Sequence, residues 1–424
     1  MIIVESDSST PLVRFKIHTP MGAVYDPQGF EGLTHLSLAL ARSGTQDKGR
    51  EELDMAIDVL GASLDFRCGY HSASLEGSVL SEHLGDLLTL AVDILSNAKF
   101  SNEDFDRLVR ESQTALLEVQ DDPESLLSIN YRNSADVYAP YHRPIIGTSS
   151  SLQHITRNKA KDWFQSLFQP KEMIVGISGD ITSEGANDFA KRIKACLPNP
   201  KASFRAPLFK DTIEADKTFY YYNKPSNDQC NIELAIDAPR CQDDLYPALL
   251  VANSVLGELE SSRLNQNIRA KEGWVYSVYS SIERHPDKNI LSITCNPALE
   301  FSKATIETIL QTCATLSTEG ITKDEFELAQ ANIIGSLDFV SETCHRRMAL
   351  RIRNSFFELP TSYYEDLKSK LKKTSREDVN AFLKTCFEHT TIGLVGPWEE
   401  LTELKEALSF TFKEMKFGDA NDSR

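Results

Sequence analysis

Two side chains seven residues apart carry the clearest chemical signal in this sequence. Arg269 and Tyr276 lie in the stretch 261–280, SSRLNQNIRAKEGWVYSVYS, with Gly273 between them. One is a permanent cation and the other an O–H donor. Side by side, such a pair suits a carbonyl oxygen or a developing oxyanion. Ser277 adds a hydroxyl beside Tyr276. The elements that would position them are readable. Over 264–272, Leu264 and Ile268 share one helical face, and Arg269 and Lys271 are cations near its C-terminus. Gly273 suits the cap, and 275–279 then alternates as a strand. A helix running into a strand through a glycine would bring the two side chains together. The alternative is a surface arginine followed by a half-buried strand tyrosine.

Bulk properties narrow the function classes. The chain has 424 residues, enough for two or more domains with their own cores. It is 41% hydrophobic and 25% charged, as soluble globular proteins are, with a formal charge of −17. That balance argues against a nucleic-acid or anionic-membrane surface and mildly favours cationic peptides. No apolar run approaches the roughly 18 residues of a membrane span. The N-terminus, MIIVESDSST, has no basic n-region and no cleavage site, so a cytoplasmic location is expected, or a periplasmic one if a signal peptide was removed. The eight cysteines are scattered without a C-x-x-C and mostly sit in apolar-periodic segments, which predicts reduced, buried thiols.

The chain reads twice. In the first half, 12–17 reads as a strand and 32–41 and 50–60 as helices. Two strands follow within 62–79 and a strongly periodic helix over 82–97. In the second half, a strand at 230–237 leads to a helix at 246–256. Strands at 275–282 and 289–295 then precede a helix at 302–316. Ser101 with Asp104, and Thr322 with Glu325, open the next helix in each half. Phe105 and Phe326 in those helices are 221 residues apart, and the closing strands at 178–180 and 395–397 are offset by close to 218. Such a period means duplicated domains. The reading is α+β: two homologous repeats, 1–196 and 217–424, each a mainly antiparallel sheet with helices packed on one side. The polar, proline-containing stretch 197–216 joins them.

The pattern S-x-R-L-x-x-x-I-R-x-x-x-G-x-x-Y-S over 261–277 resembles the second-half motif of the insulinase/pitrilysin and processing-peptidase family of zinc peptidases. The resemblance covers nearly the whole chain, with the usual first strand reduced to Met1–Glu5. It implies two halves that close like a clamshell around a peptide. It also implies that Arg269 and Tyr276, with Ser277, hold the substrate carbonyl and stabilise the tetrahedral intermediate. In the family, H-x-x-E-H on the first helix supplies two zinc ligands and the general base, with a third ligand, a Glu, about 75 residues on. The flanks are kept here: Pro27, Gly29, Gly32 and Leu33 lead in, and Ser43-Gly44-Thr45 lead out. The motif itself reads His35-Leu-Ser-Leu38-Ala39. The first His remains, the base is Leu38 and the second His is Ala39. The third-ligand region reads Gln113 to Leu117, with Glu111 and Glu118 displaced from the expected position. No two of the nine histidines (18, 35, 71, 83, 142, 154, 285, 345, 389) have ligand spacing. The chain is therefore expected to hold no metal. Where one family branch carries a glycine-rich presequence-reading loop, this chain has the acidic Gly257-Glu-Leu-Glu260.

The resemblance thus implies a non-catalytic subunit, inactive alone, of a heteromeric metalloendopeptidase. The zinc would lie in a homologous H-x-x-E-H partner, and the ligand would be a peptide on a sheet edge. The alternatives are a structural or assembly homologue without a part in cleavage, and a peptide-binding module acting alone.

Overall fold

Side-chain caps start the helices where the sequence places them. Ser101 Oγ accepts the N–H of Asp104 at 3.0 Å, and Thr322 Oγ1 accepts that of Glu325 at 3.2 Å. The structure is a computed structural model and describes residues 1–138, 141, 143–197 and 217–416. Apart from Leu197, the linker read at 197–216 lies outside the described residues, as does His142.

The first half forms β1 (Ile2–Ser6), β2 (Leu12–Thr19), α1 (Leu33–Arg42), α2 (Arg50–Val59), β3 (Ser63–Cys68) and β4 (Ala73–Leu80). It continues through α3 (Leu84–Asn97), α4 (Asn102–Asp121), α5 (Pro123–Ser134), α6 (Ser149–His154), α7 (Arg157–Leu167), β5 (Ile174–Gly179) and α8 (Ser183–Cys196). The second half forms β6 (Thr218–Asn223), β7 (Asn231–Ala238), α9 (Tyr246–Asn253), β8 (Val275–Arg284), β9 (Asn289–Pro297) and α10 (Leu299–Glu319). After these come α11 (Lys323–Phe339), α12 (Cys344–Phe356), α13 (Tyr363–Lys373), α14 (Arg376–Cys386), β10 (Thr390–Gly396), α15 (Leu404–Ala407) and β11 (Thr411–Glu414).

Each half has its own sheet. The strand orders are β1-β5-β2-β4-β3 and β11-β6-β10-β7-β9-β8. Pairing is antiparallel except β1 with β5 and β6 with its two neighbours. Two compact units result, and they interleave the two sequence halves. Unit 1 gathers Met1–Glu118, a stretch beginning at Arg143, and Val340–Glu358, which carries α12. Unit 2 takes α5 from the first half, together with the rest of the second half.

In unit 1, Val13, Phe15 and Ile17 of β2 and Val175 and Ile177 of β5 enter the main core with residues of α1, α3, α7 and α8. Alternate residues face the other way. There α12 lies across the sheet, with Met348 and Ile352 clustered on Ile3 and Ile174. A Cβ on Gly176 would sit 2.5 Å from Ile352 Cδ1. Phe356 packs edge-on to His18, with ring centroids 5.0 Å apart. Arg347 and Arg351 pair with Glu5 at 3.1 and 2.7 Å. Unit 2 repeats the arrangement. Gly393 stands opposite Glu233 as Gly176 stands opposite Lys16, and both pairs are related by 217 residues. A Cβ on Gly393 would meet the Tyr131 ring of α5 at 2.5 Å.

Around α5 the contacts are polar. Tyr131 Oη bonds Thr391 Oγ1 at 2.6 Å, and Tyr138 Oη donates to Glu233. Arg132 makes a two-pronged bond to Glu283 at 3.0 and 2.9 Å, and Tyr141 stacks on His285 at 3.6 Å. Among the described residues no helix is long and apolar enough to cross a membrane.

The two glycines should tolerate a methyl group unequally. Gly393→Ala forces a Cβ onto the root of a rigid ring and should lower stability by about 1–3 kcal/mol. Gly176→Ala should cost less, because Ile352 Cδ1 is the end of a side chain that can swing aside. Urea midpoints of the two variants check the order.

His18 should make unit 1 acid-sensitive. Burial, with Lys16 nearby, lowers its pKa to about 4, and neither ring nitrogen has a hydrogen-bond partner. Below pH 6.5 the unfolded chain takes up a proton that the folded chain refuses until about pH 4. Stability is therefore lost as pH falls through that window, by at most about 1.4 kcal/mol per unit. His18→Leu should remove that slope, as thermal unfolding at pH 7, 5.5 and 4.5 would show.

Candidate functional site

The segment bearing Arg269 and Tyr276 is built from unusual backbone. After α9 the chain continues as a π-helical turn, Ser254–Glu258, and winds again as a π-helix over Asn265–Ala270. Such turns recur at functional positions because they displace side chains from the α-helical register. Leu264 and Ile268 are fully buried and anchor the segment, as their shared face predicts. Arg269, in its last turn, is exposed, and its Nη1 donates to Glu260 at 3.0 Å. Gly273 follows with φ +69°, a conformation side-chain-bearing residues rarely adopt, so the chain can turn there. Its N–H donates to Arg269 O at 3.1 Å and that of Trp274 to Ile268 O at 3.3 Å, closing the helix end as the sequence anticipates.

β8 then starts at Val275 as an edge strand of unit 2. Its pairing with β9 is irregular between Val275 and Val278. Both valines are buried, so Tyr276 and Ser277 are thrown out together, and Tyr276 is 93% exposed. A bulge of this kind re-aims a side chain at the rim of a sheet. The structure thus places Arg269, Tyr276 and Ser277 on one exposed helix-to-strand turn, with the guanidinium turned to Glu260. Behind it, Ser280 Oγ donates to Asn253 Oδ1 at 2.8 Å, tying β8 to the end of α9.

The acidic loop 257–260 is used internally. Glu258 Oε2 accepts from Ser254 Oγ at 2.6 Å and from Asn253 Nδ2 at 3.2 Å, while Glu260 holds Arg269. Glu260 escapes sequence reasoning because only the folded loop brings it to a cation nine residues away.

The other half of a peptidase centre would lie on α1 in unit 1. The Asp26 carboxylate fastens the start of this helix, accepting from Gly32 N and Thr34 N at 2.9 Å and Thr34 Oγ1 at 2.6 Å. Burial still pushes that carboxyl up to about 7. His35 is half-buried, and burial lowers its pKa. Leu38 is 2% exposed and belongs to the main core, and Ala39 contributes only a methyl group. Glu111, displaced from the expected third-ligand position, is bonded by Arg107 at 2.8 and 3.0 Å. One imidazole, a core leucine and a methyl group do not fit a zinc ion. Among the described residues no cluster of three His, Cys, Asp or Glu could hold a metal.

Two family models match the chain in succession. The family model described as Insulinase (Peptidase family M16) matches residues 1–149, and the model described as Peptidase M16 inactive domain matches 154–333. The chain is 23% identical to an uncharacterized zinc protease, YmxG, of Bacillus subtilis, over 93% of this chain and 96% of that one. It is 22% identical to a protein named non-peptidase homolog YmxG of Helicobacter pylori, covering 92% and 89%. Its fold is similar to that of a solved peptidase M16 inactive domain from Pseudomonas fluorescens, with a TM-score of 0.85, 19% identity and 98% and 97% coverage. Two halves of one family model set, matched in order along a chain with a degenerate zinc helix, lead to one conclusion: the chain belongs to the M16 insulinase family of peptidases, as a member without the H-x-x-E-H donor set.

Proposed function

We propose that this chain is the non-catalytic subunit of a heteromeric metallopeptidase. It would work with a homologous partner that carries an intact H-x-x-E-H and holds the metal. Arg269 and Tyr276 bind the peptide carbonyl and stabilise the oxyanion that develops on it, and Ser277 adds a hydroxyl to the substrate contacts. The single observation that carries this reading is the exposure of both donors on one bulged edge-strand turn, in a chain whose own α1 offers a lone imidazole. The donors are cheap to redirect. An exposed ion pair such as Arg269–Glu260 is worth about 0–1 kcal/mol, so a carbonyl or oxyanion in a drier site can take the guanidinium over. The peptide backbone can add to an open strand edge, which recognises main chain and tolerates varied sequence. None of the eight cysteines forms a disulfide, which suits a reducing, cytoplasmic setting. The relative named a non-peptidase homolog keeps a second reading in view, a structural subunit with no part in cleavage.

Mixing decides between them. The chain alone should be inactive, and peptide hydrolysis should appear on adding the H-x-x-E-H partner. In that mixture Arg269→Ala or Tyr276→Phe should each lower kcat/KM by about a hundredfold, near 3 kcal/mol, with assembly unchanged by sedimentation. Unchanged activity in both variants would remove the assigned role, and stable assembly without activity would favour the structural reading.

Glu260 should act as a weak competitor for the guanidinium. Glu260→Ala should change stability by less than about 0.5 kcal/mol and lower KM by about twofold to fivefold with kcat unaltered. Steady-state kinetics of the mixed complex measures both parameters.

A further inference from the structure

On unit 2 a cleft of about 470 Å³ opens between the segment 263–274 and α10. Its α10 wall is one helical face, with Ala304, Thr308, Gln311 and Thr315 on successive turns, and the opposite wall carries Asn267 and Trp274. The volume falls in the range of small-molecule and side-chain pockets. The Trp274 and Phe301 rings lie nearly parallel, planes 14° apart with centroids at 6.1 Å, an offset contact on one side of the indole. Two charged residues line the cleft, and their situations differ. Arg263 is neutralised: its guanidinium bonds Glu325 at 2.8 and 2.9 Å and Gly320 O at 2.9 Å. Glu307 forms no salt bridge among the described residues, although the nearby Lys303 ammonium interacts with it electrostatically. Lys303, its natural helical neighbour four residues earlier, pairs with Glu403 at 2.9 Å instead. The cleft therefore combines an aromatic ring, hydroxyl and amide acceptors, and one exposed carboxylate outside any salt bridge among the described residues.

We propose that this cleft receives an arginine side chain of a bound peptide, its guanidinium between the Trp274 ring and the Glu307 carboxylate. The inference rests on the reading of the chain as a peptide-holding subunit and adds a side-chain preference to it. Tryptophan is the strongest aromatic partner for a cation, and a planar guanidinium can stack and still present its edge N–H groups. Thr308 Oγ1 and Gln311 Oε1 can accept the remaining donors. Lysine would fit less well, because its compact ammonium is more strongly hydrated. The chain's net charge of −17 draws such a peptide in before contact.

The test uses the full chain labelled with 5-fluorotryptophan, whose three tryptophans give three ¹⁹F resonances, Trp274 being assigned by its loss in Trp274→Phe. The probe is an acetylated, amidated glycine–serine nonapeptide with one central arginine, compared with its citrulline twin. The arginine peptide should shift the Trp274 resonance saturably and bind about fivefold to tenfold more tightly than the citrulline peptide. In Glu307→Gln, at an exposed position that leaves folding intact, the preference should fall to about threefold or less. No saturable shift with the arginine peptide, or an undiminished preference in Glu307→Gln, would overturn the proposal. The readout needs no partner and no activity, so it separates from the function above. A Trp274 response in a chain whose mixed activity ignores Arg269 keeps the cleft and removes the catalytic role. Loss of the response with Arg269-dependent activity intact does the reverse.

Discussion

A glycine in an inner strand of each sheet, with a helix laid across it, is the constraint on which the rest of this structure depends. Gly176 and Gly393 leave a shallow socket where any other residue would put a Cβ, and Met348 with Ile352, or Tyr131, fills it. The filling helices come from far along the chain: the Tyr131–Thr391 bond joins residues 260 apart. Without α5, the unit 2 sheet would expose Glu233, Tyr220 and Thr391 on a face that the folded chain buries. Without α12, unit 1 would expose Ile3, Ile174 and His18. Each compact unit is therefore complete only with a segment drawn from the other half of the sequence. The order of elements along the chain and their order in space part company at those two helices.

The two units meet the same steric demand with opposite chemistry. Unit 1 closes its socket with methionine, isoleucine and phenylalanine, and strands a neutral histidine beneath them. The nearby Lys16–Glu76 pair, at 2.9 Å, keeps that face's charges matched. Unit 2 closes its socket with tyrosines whose hydroxyls need partners. Burial raises the pKa of Glu233, which accepts from Tyr138, whereas Glu283 is held at about 2. Burial pushes Glu283 the other way, but the bond from His285 and the paired guanidinium of Arg132 outweigh it. A network of this kind penalises any partial opening, since each group that loses its partner is left with an unmet desolvation cost. The same repeat thus yields one apolar seat, tolerant of small shifts, and one polar seat that admits a single geometry.

Much of this was legible in the sequence because the signals are local. The caps at Ser101 and Thr322, the apolar periodicity of 84–97 and the glycine before β8 are set by neighbours within a few residues, and the twofold repeat is the recurrence of such local patterns. The exchanged helices were not legible. Nothing near Tyr131 announces that its ring will sit on Gly393, and the glycines at 176 and 393 read equally well as ordinary strand ends. Within the site, the Arg269–Gly273–Tyr276 spacing announced the helix-to-strand turn, but the simple alternation read over 275–279 is broken, with Tyr276 and Ser277 both exposed. The spacing did not give the π-helical winding or the bulge, because each depends on one extra residue being absorbed where packing, not local preference, decides. Glu260 and the Trp274–Glu307 cleft were hidden for the same reason: both join segments that meet only after folding.

The packing of α1 explains why this chain cannot accommodate the H-x-x-E-H set by a single substitution. Leu38 is not a neutral stand-in for a catalytic glutamate. It is 2% exposed among Leu33, Leu36 and Leu40, on a face packed into the main core. A carboxylate there would be buried without a partner, at a cost of several kcal/mol unless it took up a proton, and a protonated acid is no base. Ala39 is half-buried one turn from His35 and contributes only a methyl group, and Glu111 is bonded to Arg107. Restoring metal binding would therefore require at least two substitutions and a repacked core, with a third ligand supplied as well. The turn at 269–277 carries no such entanglement. Its donors are exposed, its ion pairs Arg269–Glu260 and Lys271–Glu272 are weak surface pairs, and its shape is set by buried Leu264, Ile268, Val275 and Val278. Core packing occupies α1 where the H-x-x-E-H set would stand, whereas the turn at 269–277 is a surface feature that the core anchors from behind.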